Sequence, residues 1–183
     1  MGPLTADIMI KALTRLDELM ESQLSTGNQG EIQMIMGGGG AMILAHQFPL
    51  GTTDIDAVAK GIELSELDVL VKKIAEEQNI SKDWLNPYFS TFAHTLPSDY
   101  GDRLVEVFRG EKMRVFALGK EEMLLMKCFA HRQKDVGHAK SLIKQGVNIK
   151  RVEAQIEALQ KKGIRGGTQA LEFLEDVLDQ LEQ

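Results

Sequence analysis

The chain has 183 residues, 43% hydrophobic and 26% charged, with a formal net charge of -6, the composition of one globular domain with a sizeable core. The excess of acid excludes a protein that coats nucleic acid or an anionic membrane surface by bulk charge, because both need Lys and Arg in excess. A single cysteine, Cys128, excludes an internal disulfide and a CxxC zinc site, and with no spanning-length apolar run and no secretory leader the expected location is the cytoplasm.

Residues 5–24 fit a helix. Thr5 is a candidate N-cap, and Ile8, Leu13, Leu16, Met20 and Leu24 recur at near-helical spacing. Residues 25–30, Ser-Thr-Gly-Asn-Gln-Gly, read as a turn. Ile32–Met36 fits a short buried strand that runs into Gly37-Gly38-Gly39-Gly40, with a short helix expected from Ala41 to Gln47. Asp54 to Val58 alternates polar and apolar, the strand pattern. Leu64, Leu67, Leu70, Val71 and Ile74 make the apolar stripe of a helix over 63–78. Residues 79–103, with Pro87, Pro97 and the only tryptophan, Trp84, are expected to be irregular.

Leu104–Phe108 and Met113–Leu118 fit a hairpin, and residues 121–132 fit a strong helix. From Asp135 onward the chain reads as helical, with breaks at Gly146 and Gly166-Gly167 and a last acidic amphipathic helix over 168–182. That helix is expected to close the core. The expected fold is mixed α and β: a small mixed sheet flanked by helices over residues 1–145, with a helical C-terminal extension over 146–183. The order is not a regular βαβ series, which argues against a doubly wound sheet.

Four glycines after an apolar strand call for a reason, because glycine loses the most backbone entropy on folding. Such a turn lets backbone N–H groups close on a phosphate. It equally serves as a tight strand-to-helix turn. The spacing is neither a dinucleotide fingerprint nor a P-loop. Asp54 and Asp56, two apart on a strand, would point to one face. Two carboxylates on one face repel unless a cation or proton sits between them, and oxygen ligands of this kind suit Mg²⁺ shared with substrate phosphates. Phosphate-cradling amides beside a Mg²⁺-holding pair are the parts that phosphoryl or nucleotidyl transfer needs.

Gly38-Gly39-Gly40-Ala41, followed by Thr52-Thr53-Asp54-Ile55-Asp56, resembles the signature of the DNA polymerase beta-like nucleotidyltransferase superfamily. That signature is an apolar residue, Gly-[Gly/Ser], a gap, then Asp-x-[Asp/Glu]. The subgroup most similar is the bacterial minimal nucleotidyltransferases related to the AbiEii-type toxins. Its later helix with Lys, then Arg-x-Lys-Asp, is matched by Lys127 and by Arg132-Gln133-Lys134-Asp135; the tract Asp83-Trp84-Leu85-Asn86 is similar as well. The resemblance spans roughly residues 30–145. It implies Mg²⁺-dependent transfer of a nucleoside monophosphate from an NTP to an RNA (a tRNA is one candidate) or protein acceptor. In that reading Asp54 and Asp56 hold the metal, with Glu106 the best candidate for a third carboxylate. Gly38, Gly39, Gly40, Thr53, Lys127, Arg132, Lys134 and Asp135 bind the nucleotide, and Lys127 neutralises charge in catalysis. A cognate antitoxin or toxin partner is implied by the same analogy.

The chain departs from the pattern at Leu50, where an Arg is usual, and at His138, where an Asp is usual. These departures support a competing reading: a catalytically degenerate nucleotide-binding or regulatory protein on the same fold. Of the remaining residues, Cys128 and the nine methionines read as core, Trp84, Tyr88 and Phe89 as a packing cluster, and Asp135 equally as the N-cap of the next helix. Charge is uneven: residues 103–151 carry twelve Lys+Arg against five Asp+Glu, so the net -6 hides a basic segment around Lys127.

Overall fold

The computed structural model describes residues 2–23 and 31–182. The turn expected over residues 25–30, and Leu24, lie outside the described residues. The chain divides into two compact units, residues 1–91 with 104–118 and residues 92–103 with 119–183. From Gly119 onward the helices belong to the second unit, including those expected with the sheet through residue 145.

The first unit is built on a mixed sheet of β1 (Ile32–Met36), β2 (Ile55–Lys60), β3 (Leu85–Asn86), β4 (Val105–Arg109) and β5 (Met113–Ala117). The strand order is β3-β2-β1-β5-β4. β1 lies in the centre, antiparallel to β2 and parallel to β5; β3 runs parallel to β2, and β4 and β5 form an antiparallel hairpin. A central strand is covered on both faces, so it reads as a continuous apolar run rather than an alternation. Ile-Gln-Met-Ile-Met has that character at every position but the half-buried Gln33, and Met34 and Met36 are fully buried.

Three helices flank this sheet: α1 (Ala6–Gln23), α2 (Gly38–Leu44) and α3 (Asp68–Gln78). α1 buries Met9, Leu13, Leu16 and Met20 and packs on α3. Each such side chain removed from water contributes about 2 kcal/mol. α3 is entered through a 3-10 turn over Leu64–Leu67 with a capping box between Glu63 and Glu66. It ends at Asn79, which takes the left-handed conformation. The only tryptophan, Trp84, is fully buried and donates its indole N–H to the Val71 carbonyl at 3.0 Å.

Asp17 fixes the hairpin. Its carboxylate is 7% exposed and accepts three backbone N–H groups, from Glu111 at 2.8 Å and from Lys112 and Met113 at 2.9 Å each. His46, past the end of α2, is buried, and its Nε2 meets the Leu118 carbonyl at 2.9 Å. At the N-terminus, Leu4 and Thr52 exchange two backbone hydrogen bonds, at 2.6 and 3.1 Å. That bridge anchors the segment leading into Asp54.

Three differences from the sequence reading matter. α2 begins at Gly38, not at Ala41, so three of the four glycines form its first turn. The tract expected to be irregular contains β3. A β-bulge between Glu106 and Phe108 breaks the plain alternation expected of β4.

The second unit is helical among its described residues: α4 (Lys120–Ala130), α5 (Val136–Lys144), α6 (Ile149–Lys161) and α7 (Gly167–Glu182). α7 packs against α4, α5 and α6 and buries Ala170, Leu174 and Val177, so the acidic last helix does close a core. Gly146 and Gly166, at φ +78° and +91°, supply the left-handed turns where the chain was expected to break. Among the described residues, no helix is long and apolar enough to cross a membrane.

Candidate active site

The sheet register brings the glycine turn and the acidic segment together. β2 runs antiparallel to β1 with Met36 opposite Ala57, so the start of β2 meets the end of β1. The Gly37 N–H donates to the Asp56 carbonyl at 3.0 Å. Ile55 and Ala57 are fully buried, while Asp54 and Asp56 between and beside them are half-buried. Asp54 stands one residue before β2, and Asp56 is the second residue of the strand.

Three of the four glycines, Gly38 to Gly40, have a packing reason. Gly38 has φ +62°, and a Cβ there would collide with Oδ2 of Asp56. A Cβ on Gly39 would collide with the Thr52 hydroxyl, and one on Gly40 would come within 2.6 Å of the Met36 methyl. The glycine run therefore allows a carboxylate and a hydroxyl to lie directly against the first turn of α2. That contact accounts for the glycines with no phosphate present.

Asp54 is held by polar neighbours on two sides. Its Oδ1 is reached by the hydroxyls of Thr52 at 3.5 Å and Thr53 at 3.3 Å. Its Oδ2 accepts from Nδ2 of Asn86 at 3.2 Å. Asn86 is 6% exposed and pairs with Asp56 in the parallel register of β2 and β3. Its Oδ1 in turn accepts the backbone N–H of Tyr88 at 3.0 Å. Asn86 thus spends both ends of its amide, one on the carboxylate and one on the chain that follows.

A family model described as nucleotidyltransferase of unknown function (DUF6036) matches residues 11–164. The chain belongs to this family. Neither the curated proteins nor the solved structures yield a match.

In this DUF6036 protein, Glu106 stands apart from the acidic pair. It lies on β4, three strand positions from β2, which is about 14 Å at the usual strand spacing. Its carboxylate is taken by Arg109, at 2.9 Å, and by Arg114. Those hydrogen bonds, Arg109's first, hold it at about 2, well below the usual carboxylate range. Among the described residues, no group of three His, Cys, Asp or Glu side chains is placed to hold a metal ion. Two carboxylates remain, and Mg²⁺ is commonly held by one or two carboxylates completed by substrate phosphates and water. The donor set of Asp54 and Asp56 fits that manner of binding and not a closed protein cage.

The second unit carries the basic residues expected to meet the nucleotide. Lys127 is 4% exposed, and its Nζ lies 2.5 Å from Oδ1 of Asp135, itself 1% exposed. Arg132 donates to the other oxygen of Asp135 at 2.8 Å, and His138 Nδ1 lies 3.6 Å from Oδ1. Burial pushes the Lys127 ammonium below its ordinary value, and Asp135 opposes the shift. Burial would raise the Asp135 carboxyl, but His138, Lys127 and Arg132 outweigh it and hold the group well below the carboxylate range. Asp135 stands at the N-cap position of α5 but makes no side-chain cap bond; its carboxylate serves the cluster instead. Arg132 and Lys134 are exposed. The Cys128 thiol is buried and pushed up to about 12, as expected of a core residue.

Two residues of this site stand in the quoted motifs without a role assigned to them there. Thr52, not Thr53, packs against the glycine turn. Asn86 falls in the quoted tract Asp83–Asn86, but nothing local marks it as the partner of a carboxylate 32 positions earlier.

Proposed function

We propose that this DUF6036 protein is a Mg²⁺-dependent nucleotidyltransferase, which moves a nucleoside monophosphate from an NTP to an RNA or protein acceptor. One observation carries the reading: the Asp56 carboxylate lies directly against Gly38 of the glycine turn, with Asp54 two residues before it, in a chain of a nucleotidyltransferase family. Asp54 and Asp56 would hold the cation. Thr52, Thr53 and Asn86 orient Asp54 so that its oxygens need no rearrangement on binding. A bound Mg²⁺ would supply charge neutralisation and Lewis-acid polarisation of the reacting phosphoryl group. The reading assigns the basic cluster of Lys127, Arg132 and Lys134, with Asp135 ordering it, to the phosphate charge.

The test is calorimetry of the full chain with each NTP in Mg²⁺. Binding by the wild type that is lost in Asp54→Ala and Asp56→Ala supports the site, whereas metal-dependent binding unchanged in both variants overturns it. Incubation with labelled NTP and cellular RNA or protein then reads transfer. Label on either acceptor supports the enzyme. Nucleotide binding without any transfer favours the second reading, a degenerate nucleotide-binding or regulatory protein. That reading is motivated by the neutral Asn86 beside only two acids. The likeness to AbiEii-type toxins, and with it an antitoxin partner, rests on the sequence motifs, and toxicity on expression tests it.

A further inference from the structure

We propose that Tyr88 is the nucleobase platform of the carboxylate site, the ring against which the base of a bound nucleotide stacks. The proposal rests on the nucleotide reading above and extends it to the part of the ligand that the carboxylates cannot recognise.

The first observation is placement. Asn86 pairs with Asp56 across β2 and β3, donates to Asp54, and accepts the Tyr88 N–H. Two residues of chain span at most about 7 Å, so the Tyr88 backbone is fixed close to the residue that holds the carboxylate.

The second observation is exposure. Trp84, Leu85 and Phe89 are 0%, 8% and 2% exposed, yet Tyr88 is 70% exposed. Asn86 anchors the segment on one side of Tyr88 and buried Phe89 on the other, so the tyrosine is held in water by its own neighbours. The cluster expected from the sequence therefore divides, with Trp84 and Phe89 in the core and Tyr88 outside. Among the described residues four large apolar side chains are exposed: Leu50, Val69, Tyr88 and Val105. Two of them border this site, since Leu50 precedes Thr52 by two residues.

The third step is chemical. A carboxylate-held cation and backbone amides address phosphate alone, and phosphate is common to every nucleotide. Affinity for the base needs a π surface, which every base matches with its own face. A tyrosine fixed by its backbone offers large contact area at low entropic cost, having only two side-chain torsions to freeze.

The experiment compares two ligands on the full chain: Mg²⁺ with each NTP, and Mg²⁺ with inorganic tripolyphosphate, both by calorimetry. Tyr88→Ala is expected to weaken NTP binding roughly 5- to 150-fold, the range for loss of one base stack, and to leave tripolyphosphate binding unchanged. Tyr88→Phe and Tyr88→Trp are expected to bind the NTP as the wild type does. Equal NTP affinity in Tyr88→Ala overturns the platform while leaving the nucleotide site standing. An equal loss for both ligands also overturns it, because it marks a structural effect. A wild type that binds neither ligand overturns the nucleotide reading and this inference with it.

Discussion

The amide of Asn86 donates to Oδ2 of Asp54 at 3.2 Å, joining β3 to the acidic segment 32 residues earlier in the chain. The partner of Asp54 on that side is therefore neutral. Replacing it by a carboxylate, Asn86→Asp, keeps the acceptor for the Tyr88 N–H but sets a second negative charge against Asp54. Without metal the pair repels and the donor is lost, so unfolding free energy is expected to fall by about 1–3 kcal/mol. With Mg²⁺ three carboxylates face one cation and the loss is recovered. Thermal melts in chelator and in Mg²⁺ read the difference: the Mg²⁺-dependent rise in Tm should be larger in the variant than in the wild type. An identical response in both proteins would mean that Asn86 does not face the cation site.

The glycine turn makes a second prediction. Gly38→Ala asks an L-residue to hold φ +62° and drives its Cβ into the Asp56 carboxylate. The backbone cost alone is about 1–2 kcal/mol. Gly39→Ala has no such backbone cost but displaces the Thr52 hydroxyl. Gly101→Ala meets nothing within 4 Å and is the matched control. Denaturant midpoints should fall for Gly38→Ala and stay near wild type for Gly101→Ala, with metal-dependent nucleotide binding reduced in both turn variants. A Gly38→Ala protein of wild-type stability would contradict the close approach of Asp56.

How much of this was legible in the sequence depends on the range of the interaction that decides each feature. β1 carries its own signal, four apolar residues in five with Gln33 the exception, and the expected and observed limits coincide at Ile32 and Met36. α4, α7 and the hairpin declare themselves by local periodicity. β3 does not, because two residues have no period to read. The sequence pattern starts α2 three residues late, since glycine is a poor helix former. Here the conformation is imposed by packing against Asp56, Thr52 and Met36. The acidic pair and its turn could be read from spacing, but Asn86 could not, because its role exists only once β2 and β3 are side by side. Glu106 was singled out by residue type and strand position. The strand order that sets it three positions from β2, and the arginines that take its charge, are tertiary facts.

Asp17 supplies a test of the fold that involves none of the proposed chemistry. Its two oxygens accept three backbone N–H groups of the hairpin turn, and Gly110 lies so close that a Cβ there would strike the carboxylate. Asp17→Asn can satisfy the donors on one oxygen but turns an NH₂ toward the remaining N–H. Bonds to a charged acceptor contribute more than neutral ones, and an orphaned buried donor adds its desolvation cost. The expected loss is about 2–4 kcal/mol, seen as a lower denaturant midpoint at constant m-value. A change within a few tenths of a kcal/mol would show that the turn holds without the carboxylate.

The buried pair of Lys127 and Asp135 predicts both a mutational and a pH signature. Asp135→Asn leaves Lys127 buried without its anion, and breaking such a pair costs about 3–5 kcal/mol. The double variant Asp135→Asn with Lys127→Met removes both charges and should recover much of that loss, so the two substitutions are strongly non-additive. The sign of the acid response follows from the Asp135 carboxyl, which the folded protein holds well below its ordinary value. The unfolded chain therefore takes up the proton first as pH falls. The stability it contributes is complete above the unfolded value of about 3.9 and is lost on acidification toward the folded one. Lys127 acts at the other end. Its folded value is lowered, so the unfolded state binds the proton more tightly, and this group adds stability as pH rises toward the ordinary lysine value of about 10.4. Chemical unfolding from pH 3 to 10 should show a smaller acid loss in Asp135→Asn than in the wild type. Acid profiles of the same slope in the two proteins would mean that Asp135 is not the depressed carboxylate of this cluster.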